Sequence, residues 1–182
     1  GSNGAGKSTF LKVIAGVENV DRGRIILDGK DITSTPDYVR AKEIGRIDQD
    51  PLASTASEMT IEENLAMAFK RGQKRGLQIA LTKNKRQYFR QLLAPLGLGL
   101  EDRLDVPVRT LSGGQRQALA LVMATVGEPK LLLLDEHTAA LDPKTARQIM
   151  ELTADMVESK GLTTLMITHN MAVVATSCKK VA

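Results

Sequence analysis

Residues Gly1-Ser2-Asn3-Gly4-Ala5-Gly6-Lys7-Ser8-Thr9 run directly into Phe10-Leu11-Lys12-Val13-Ile14-Ala15 and then Gly16. The first eight match G-x-x-x-x-G-K-[ST] in full, and the apolar run that follows reads as a helix from Gly6 to Ala15 stopped by Gly16. Glycines let backbone N–H groups turn inward on phosphate oxygens, and the start of the helix adds its positive end. Lys7 is then placed to reach the β- and γ-phosphates, while the Ser8 hydroxyl is a ligand for Mg²⁺. Taken alone, the motif specifies a nucleoside triphosphate and leaves kinases, GTPases and motors open. The alternative, a Gly-rich turn before a helix, does not account for Lys7, Ser8 and Thr9 together.

Working outward, helix and strand signals alternate along the chain, which predicts a parallel α/β core. Arg24 to Ile32, with Asp28-Gly29 between apolar runs, reads as strand, turn and strand. Ile44 to Asp48 is a short strand. Thr60 and Glu63 form a capping box ahead of a helix that starts at Ile61, and a second helix is predicted over roughly Lys83 to Leu96. A helix from Gly113 to Thr125 precedes a buried strand, Lys130 to Asp135. Asp142-Pro143 opens a helix that Gly161 closes, and Thr163 to Thr168 is a last strand. Asp135 ends a run of four leucines, so a buried strand delivers its carboxylate to a fixed point suited to Mg²⁺, with Glu136 next in line to orient or deprotonate water. An ordinary strand exit would explain these acids in isolation.

Composition excludes several classes. The chain has 182 residues, 42% apolar and 25% charged with a net charge of +4, so it is neither disordered nor low-complexity. Aromatics are 3% with no Trp, leaving Leu, Ile, Val, Ala and Met to build the core. Cys178 stands alone, which rules out an internal disulfide and a zinc cluster and suits a cytoplasmic setting; it is expected as a small buried residue. No apolar stretch approaches the ~20 residues that span a bilayer, and no signal peptide is evident. The opening without Met suggests a fragment. Residues 64–100 hold no Asp or Glu but contain Lys70, Arg71, Lys74, Arg75, Lys83, Lys85, Arg86 and Arg90. This basic segment reads either as a solvated helical face or as a surface near anionic lipid or an acidic partner.

Leu111-Ser112-Gly113-Gly114-Gln115 is a second Gly-rich anion seat at a helix start, far from the first along the chain. Such a duplicate makes sense when it serves a nucleotide held by another subunit. With these residues the chain resembles the ATP-binding cassette (ABC) family. Gln49 with Asp50-Pro51 is similar to the Q-loop, Asp135-Glu136 to the Walker B pair, Ala140-Leu141-Asp142 to the D-loop, and Thr168-His169 to the switch histidine, all in the family's order.

The resemblance implies a P-loop NTPase three-layer α/β core, residues 1–50 and 113–182, with a helical subdomain inserted over about 51–112. It implies a head-to-tail dimer sandwiching two ATP molecules, each between Gly1 to Thr9 of one subunit and Ser112, Gly113, Gly114 and Gln115 of the other, with Asp142 nearby. Glu136 is then the general base, His169 a γ-phosphate contact, and Gln49 a sensor of water and of the Mg²⁺ held with Ser8 and Asp135. Expected partners are a second ATPase subunit, transmembrane permease subunits and, for an importer, a solute-binding protein. Nucleic acid is not expected, and the location is the inner face of the cell membrane. The runner-up is a soluble twin-cassette ATPase acting on ribosomes or nucleic acid. A degenerate cassette without turnover is opposed by the joint presence of Lys7, Gln49, Asp135, Glu136 and His169.

Departures are specific. His137 follows Glu136 where Pro is usual, and is expected as a loop variant and not a titrating group. Asp48 precedes Gln49 where an aromatic is common. The segment Asp135 to Ala146 with Lys70 to Gly76 is similar to an importer group sometimes linked to aromatic amino acids. The family also places strands and an adenine-stacking aromatic ahead of the phosphate loop, and further strands after the switch histidine. Both are missing here, so these residues in isolation are expected to be unstable.

Overall fold

The computed structural model describes residues 6–50, 53–72 and 81–169. The phosphate-loop residues Gly1, Ser2, Asn3, Gly4 and Ala5, together with Pro51, Lys74, Arg75 and Cys178, lie outside them.

Helix α1 (Lys7–Ala15) begins after Gly6 and ends at Gly16, both left-handed, with Gly16 N–H donating to Val13 O. Only glycine adopts that conformation without cost, so the two glycines set the helix length. Strands β1 (Ile26–Leu27) and β2 (Lys30–Asp31) pair antiparallel across Asp28-Gly29, both at positive φ, the turn the sequence predicts. A single-turn helix α2 (Asp37–Arg40) leads into β3 (Ile44–Ile47).

After β3 come α3 (Ile61–Phe69), whose Thr60–Glu63 capping box is present as expected, and α4 (Lys83–Leu93). The predicted second helix was drawn to Leu96, but α4 stops at Leu93 and Ala94–Leu96 is a 3-10 turn. Pro95 has no N–H and its ring crowds the carbonyl four residues back, which ends the α-helix. Helix α5 (Gly113–Thr125), strand β4 (Leu131–Asp135), helix α6 (Pro143–Ser159) and strand β5 (Thr163–Ile167) complete the described chain.

Strands β3, β4 and β5 form a parallel sheet in that order, with Ile47 opposite Leu134 and Asp135 opposite Ile167. Leu132, Leu133 and Leu134 are fully buried because helices cover both sheet faces. Leu11 of α1 packs with Ile44, Leu133 and Ile167 on one face. Ala120, Leu121 and Ala124 of α5 pack with Ile47, Leu132 and Leu134 on the other. The opposite flank of α5, through Leu119, Val122 and Met123, joins a larger cluster with Leu65, Phe89, Leu93 and Leu104. Helix α5 is therefore buried on both flanks, which explains its run of ten buried residues from Gly114 and Gln117 through Thr125. At Gly45 the helix lies so close that any side chain would collide with the Ala124 carbonyl.

Candidate functional site

Every strand of the parallel sheet delivers a predicted residue just beyond its C-terminal end: Gln49 after β3, Asp135 and Glu136 at the end of β4, His169 after β5. That edge is where open α/β sheets hold ligands. Helix α1 points its start the same way. Its last turn is bonded to Arg40, four residues before β3 begins, so its other end faces the far edge of the sheet.

Asp135 is nine-tenths buried, and no cation neutralises it among the described residues. Glu136 sits at φ 45°, and its N–H donates to Ile167 O at 2.9 Å. The backbone thus turns sharply out of the strand while remaining tied to β5, a strain that is tolerated only when neighbours fix it. The Glu136 carboxylate meets His169, with Oε1 2.9 Å from Nε2. A carboxylate only accepts, so Nε2 carries the hydrogen. The structure therefore brings Asp135, Glu136 and His169 together, and Gln49 lies exposed at the same edge.

The second seat is organised differently. Ser112 Oγ accepts from Gln115 N–H at 3.2 Å, Gln115 Oε1 accepts from Ser112 N–H at 3.1 Å, and Gln115 Nε2 donates to Leu98 O. Gly113 and Gly114 lie against α6: a methyl on Gly114 would stand 2.5 Å from Thr145 Cγ2, and one on Gly113 3.2 Å from Leu141 Cδ2. Asp142 caps α6, accepting from Lys144 N–H and Thr145 N–H at 3.1 Å each. The Thr145 hydroxyl first, and then these backbone N–H groups, hold its carboxyl below the usual range. The described bonds of Ser112, Gln115 and Asp142 do not reach Glu136 or His169 within one chain.

Two residues, Arg40 and Asn64, escaped the sequence reading, and His137 gains a buried partner that the reading did not foresee. Arg40, 5% exposed, bonds four carbonyls. Asn64 is fully buried, accepting from Ala56 N–H and donating to Ala56 O, Met59 O and Thr60 O, which pins the segment between Gln49 and α3. His137 is buried with Nε2 3.2 Å from Thr153 Oγ1, whose hydrogen goes to Ile149 O. His137 must then donate, joining the loop after Glu136 to the middle of α6. Burial pushes its imidazole down to about 4, so it is neutral near pH 7. The capping box beside Asn64 was a usable signal; Arg40 and Thr153 offered none.

Residues 1–139 match the model of the ABC transporter family. The tyrosine transport ATP-binding protein of Clostridioides difficile is 46% identical over 171 residues, 94% of this chain and 68% of that protein. The methionine import ATP-binding protein MetN of Streptococcus pneumoniae is 38% identical over the whole of this chain and 51% of its own length. The chain thus spans about half of the methionine-import relatives that it matches. Among solved structures, a dimeric ATP-binding cassette in a post-hydrolysis state with ADP and Pi has a TM-score of 0.77 and 28% identity, over 94% of this chain and 73% of that one. The cbiO1 cassette of Clostridium perfringens, part of the transporter complex cbiONQ, has a TM-score of 0.79 and 30% identity, over 98% and 68%. This chain belongs to the ABC transporter family, as one of its ATP-binding, ATP-hydrolysing cassettes with the P-loop α/β fold.

Proposed function

We propose that the protein hydrolyses ATP to power import of an amino acid, as the nucleotide-binding subunit of a transporter, with an aromatic amino acid the solute class favoured. The observation that carries the reading is the Glu136–His169 contact at 2.9 Å beside buried Asp135. Phosphoryl transfer asks little covalent chemistry of the protein, only positioning and charge stabilisation. In this reading Gly1 to Thr9 cradle the phosphates, Lys7 neutralises the terminal ones, Glu136 orients and deprotonates the attacking water, and His169 donates to the γ-phosphate and steers Glu136.

The donor set suits Mg²⁺: a serine hydroxyl, an amide and an otherwise unpaired buried carboxylate are hard oxygen ligands, with room left for phosphate oxygens. Ser8, Gln49 and Asp135 would hold the ion, which supplies neutralisation of developing phosphate charge. Among the described residues no group of three His, Cys, Asp or Glu could hold a metal, consistent with a site that relies on the nucleotide.

The described bonds of Ser112, Gln115 and Asp142 do not reach their own Glu136, which supports a head-to-tail dimer in which each completes the partner's site. No described helix is long and apolar enough to cross a membrane, so permease subunits would carry the solute and this chain would sit peripherally on the inner face, with residues about 51–112 as a helical subdomain. A cleft of about 260 Å³ bounded by Ala15, Ala41, Asp48, Arg71 and Met123 adjoins Gln49 and suits a docked permease segment. The named relatives are transport ATPases, which favours this reading over a twin cassette on ribosomes.

The test is uptake of labelled tyrosine and methionine by cells carrying the complete transporter with native or Glu136→Gln ATPase. Tyrosine uptake that depends on Glu136 is expected. Uptake of methionine alone would move the solute class, and wild-type uptake with Glu136→Gln would remove Glu136 from the base role.

A further inference from the structure

Helix α1 has two ends, and only one faces the nucleotide. At the other, Arg40 Nη1 donates to Val13 O at 2.9 Å and Ile14 O at 2.8 Å, Nε to Thr35 O and Nη2 to Thr33 O, each at 2.8 Å. Four of the five N–H donors of the guanidinium are satisfied by carbonyls, and no carboxylate pairs with it among the described residues. Carbonyls at a helix C-terminus lack intrahelical partners and carry partial negative charge, which is what a buried arginine without a counter-ion needs. Gly16 completes the seat: a methyl there would stand 3.0 Å from Arg40 Nε.

We propose that Arg40 is a positioning residue for ATP binding, clamping the far end of α1 to the segment 33–35 and to the entry of β3. Lys7 and Ser8 at the head of α1 and Gln49 just after β3 are thereby held as one body. Nine helical residues span about 13 Å, beyond the Debye length of about 8 Å at physiological salt. Arg40 is itself buried, so its direct attraction to a bound phosphate is only partly screened over that distance, and Arg40→Lys, which keeps the charge, separates that attraction from the clamp. Its influence travels through the placement of the helix, and ångström errors in such placement cost affinity or rate heavily.

The experiment measures ATP hydrolysis, nucleotide binding and thermal melting of the complete ATPase carrying Arg40→Met or Arg40→Lys. For Arg40→Met, KM for ATP should rise about tenfold or more with kcat within about threefold, the pattern of lost ground-state positioning. Arg40→Lys, which keeps the charge but has fewer donors, should fall between Met and wild type. The ratio of KM values should not change with salt, whereas a ratio that collapses at high salt would make the effect electrostatic and overturn the clamp. A lowered melting temperature with unchanged KM in the folded variants would reduce Arg40 to a stability role and overturn the proposal. If Arg40→Met fails to fold, Arg40→Lys decides alone: a wild-type KM refutes the clamp.

Discussion

In the proposed function two helix starts hold anions, and they are prepared in opposite ways. Helix α1 opens at Gly6 with no side-chain cap, so its first N–H groups have no competitor from Gly6. Helix α5 opens at Ser112 with a complete capping box, in which Gln115 N–H donates to Ser112 Oγ and Ser112 N–H donates to Gln115 Oε1. An uncapped start gains fully when phosphate arrives. A capped one must exchange internal bonds for external ones, so it favours a phosphate only where other contacts add to it. The first seat suits a resident nucleotide, and the second a transient one presented by a partner.

The comparison can be broken in four places. Glu136→Gln alters neither seat, so nucleotide binding should persist while turnover falls by about 10² to 10⁴; single-turnover hydrolysis and dimer size by chromatography would check both. Acid should loosen the joint between the loop after Glu136 and α6. His137 is neutral when folded with its proton affinity lowered to about 4, against an ordinary 6.5, so the unfolded chain binds the extra proton first. Stability is then intact above pH 6.5 and lost as pH falls toward 4, at up to about 1.4 kcal/mol per unit. Hydrogen exchange across α6 between those pH values should rise, and His137→Gln should flatten that dependence.

Smaller effects probe the contact between α5 and α6. Gly114→Ala brings a methyl against Thr145 and should cost about 1–3 kcal/mol, with Thr145→Ser restoring much of it in the double variant. Unchanged melting for Gly114→Ala would mean the two helices part freely. Ser112→Ala should lower stability by about 1 kcal/mol through the lost cap. In mixed dimers its hydrolytic defect should appear at the partner's phosphate loop, and a defect confined to its own loop would sink the shared site.

Legibility in the sequence followed the range of the forces involved. The start of α5 at Gly113, the cap of α3 at Thr60, the leucine strand β4 and the Asp142-Pro143 entry to α6 rest on neighbours within four residues, and each stands where the sequence places it. Asp135 and Glu136 were legible from the leucine strand ahead of them, whereas His169 was legible only through the resemblance to the family, since a histidine at a strand exit is otherwise an ordinary polar residue. Arg40 was not: its helix α2 has one turn and no periodicity, and two of its carbonyl partners are 26 and 27 residues away. His137 is expected as a local loop variant, and Thr153, sixteen residues on, gives it a buried partner that no local signal marks. Pro95 ends α4 about one turn before the predicted boundary at Leu96.

The contact of Gly45 with the Ala124 carbonyl acts as a fulcrum. It lies near the tail of α5, and the residues from Ser112 to Ala124 make a lever arm of about 18 Å. A rocking of about 5° about that point swings the Ser112 end by roughly 1.6 Å on such an arm, about half the length of a hydrogen bond. Glycine removes the side chain that would wedge the pivot, so a tilt of α5 would leave the tail over β3 and be geared up at the Ser112 end, where it would engage or release a phosphate presented by a partner.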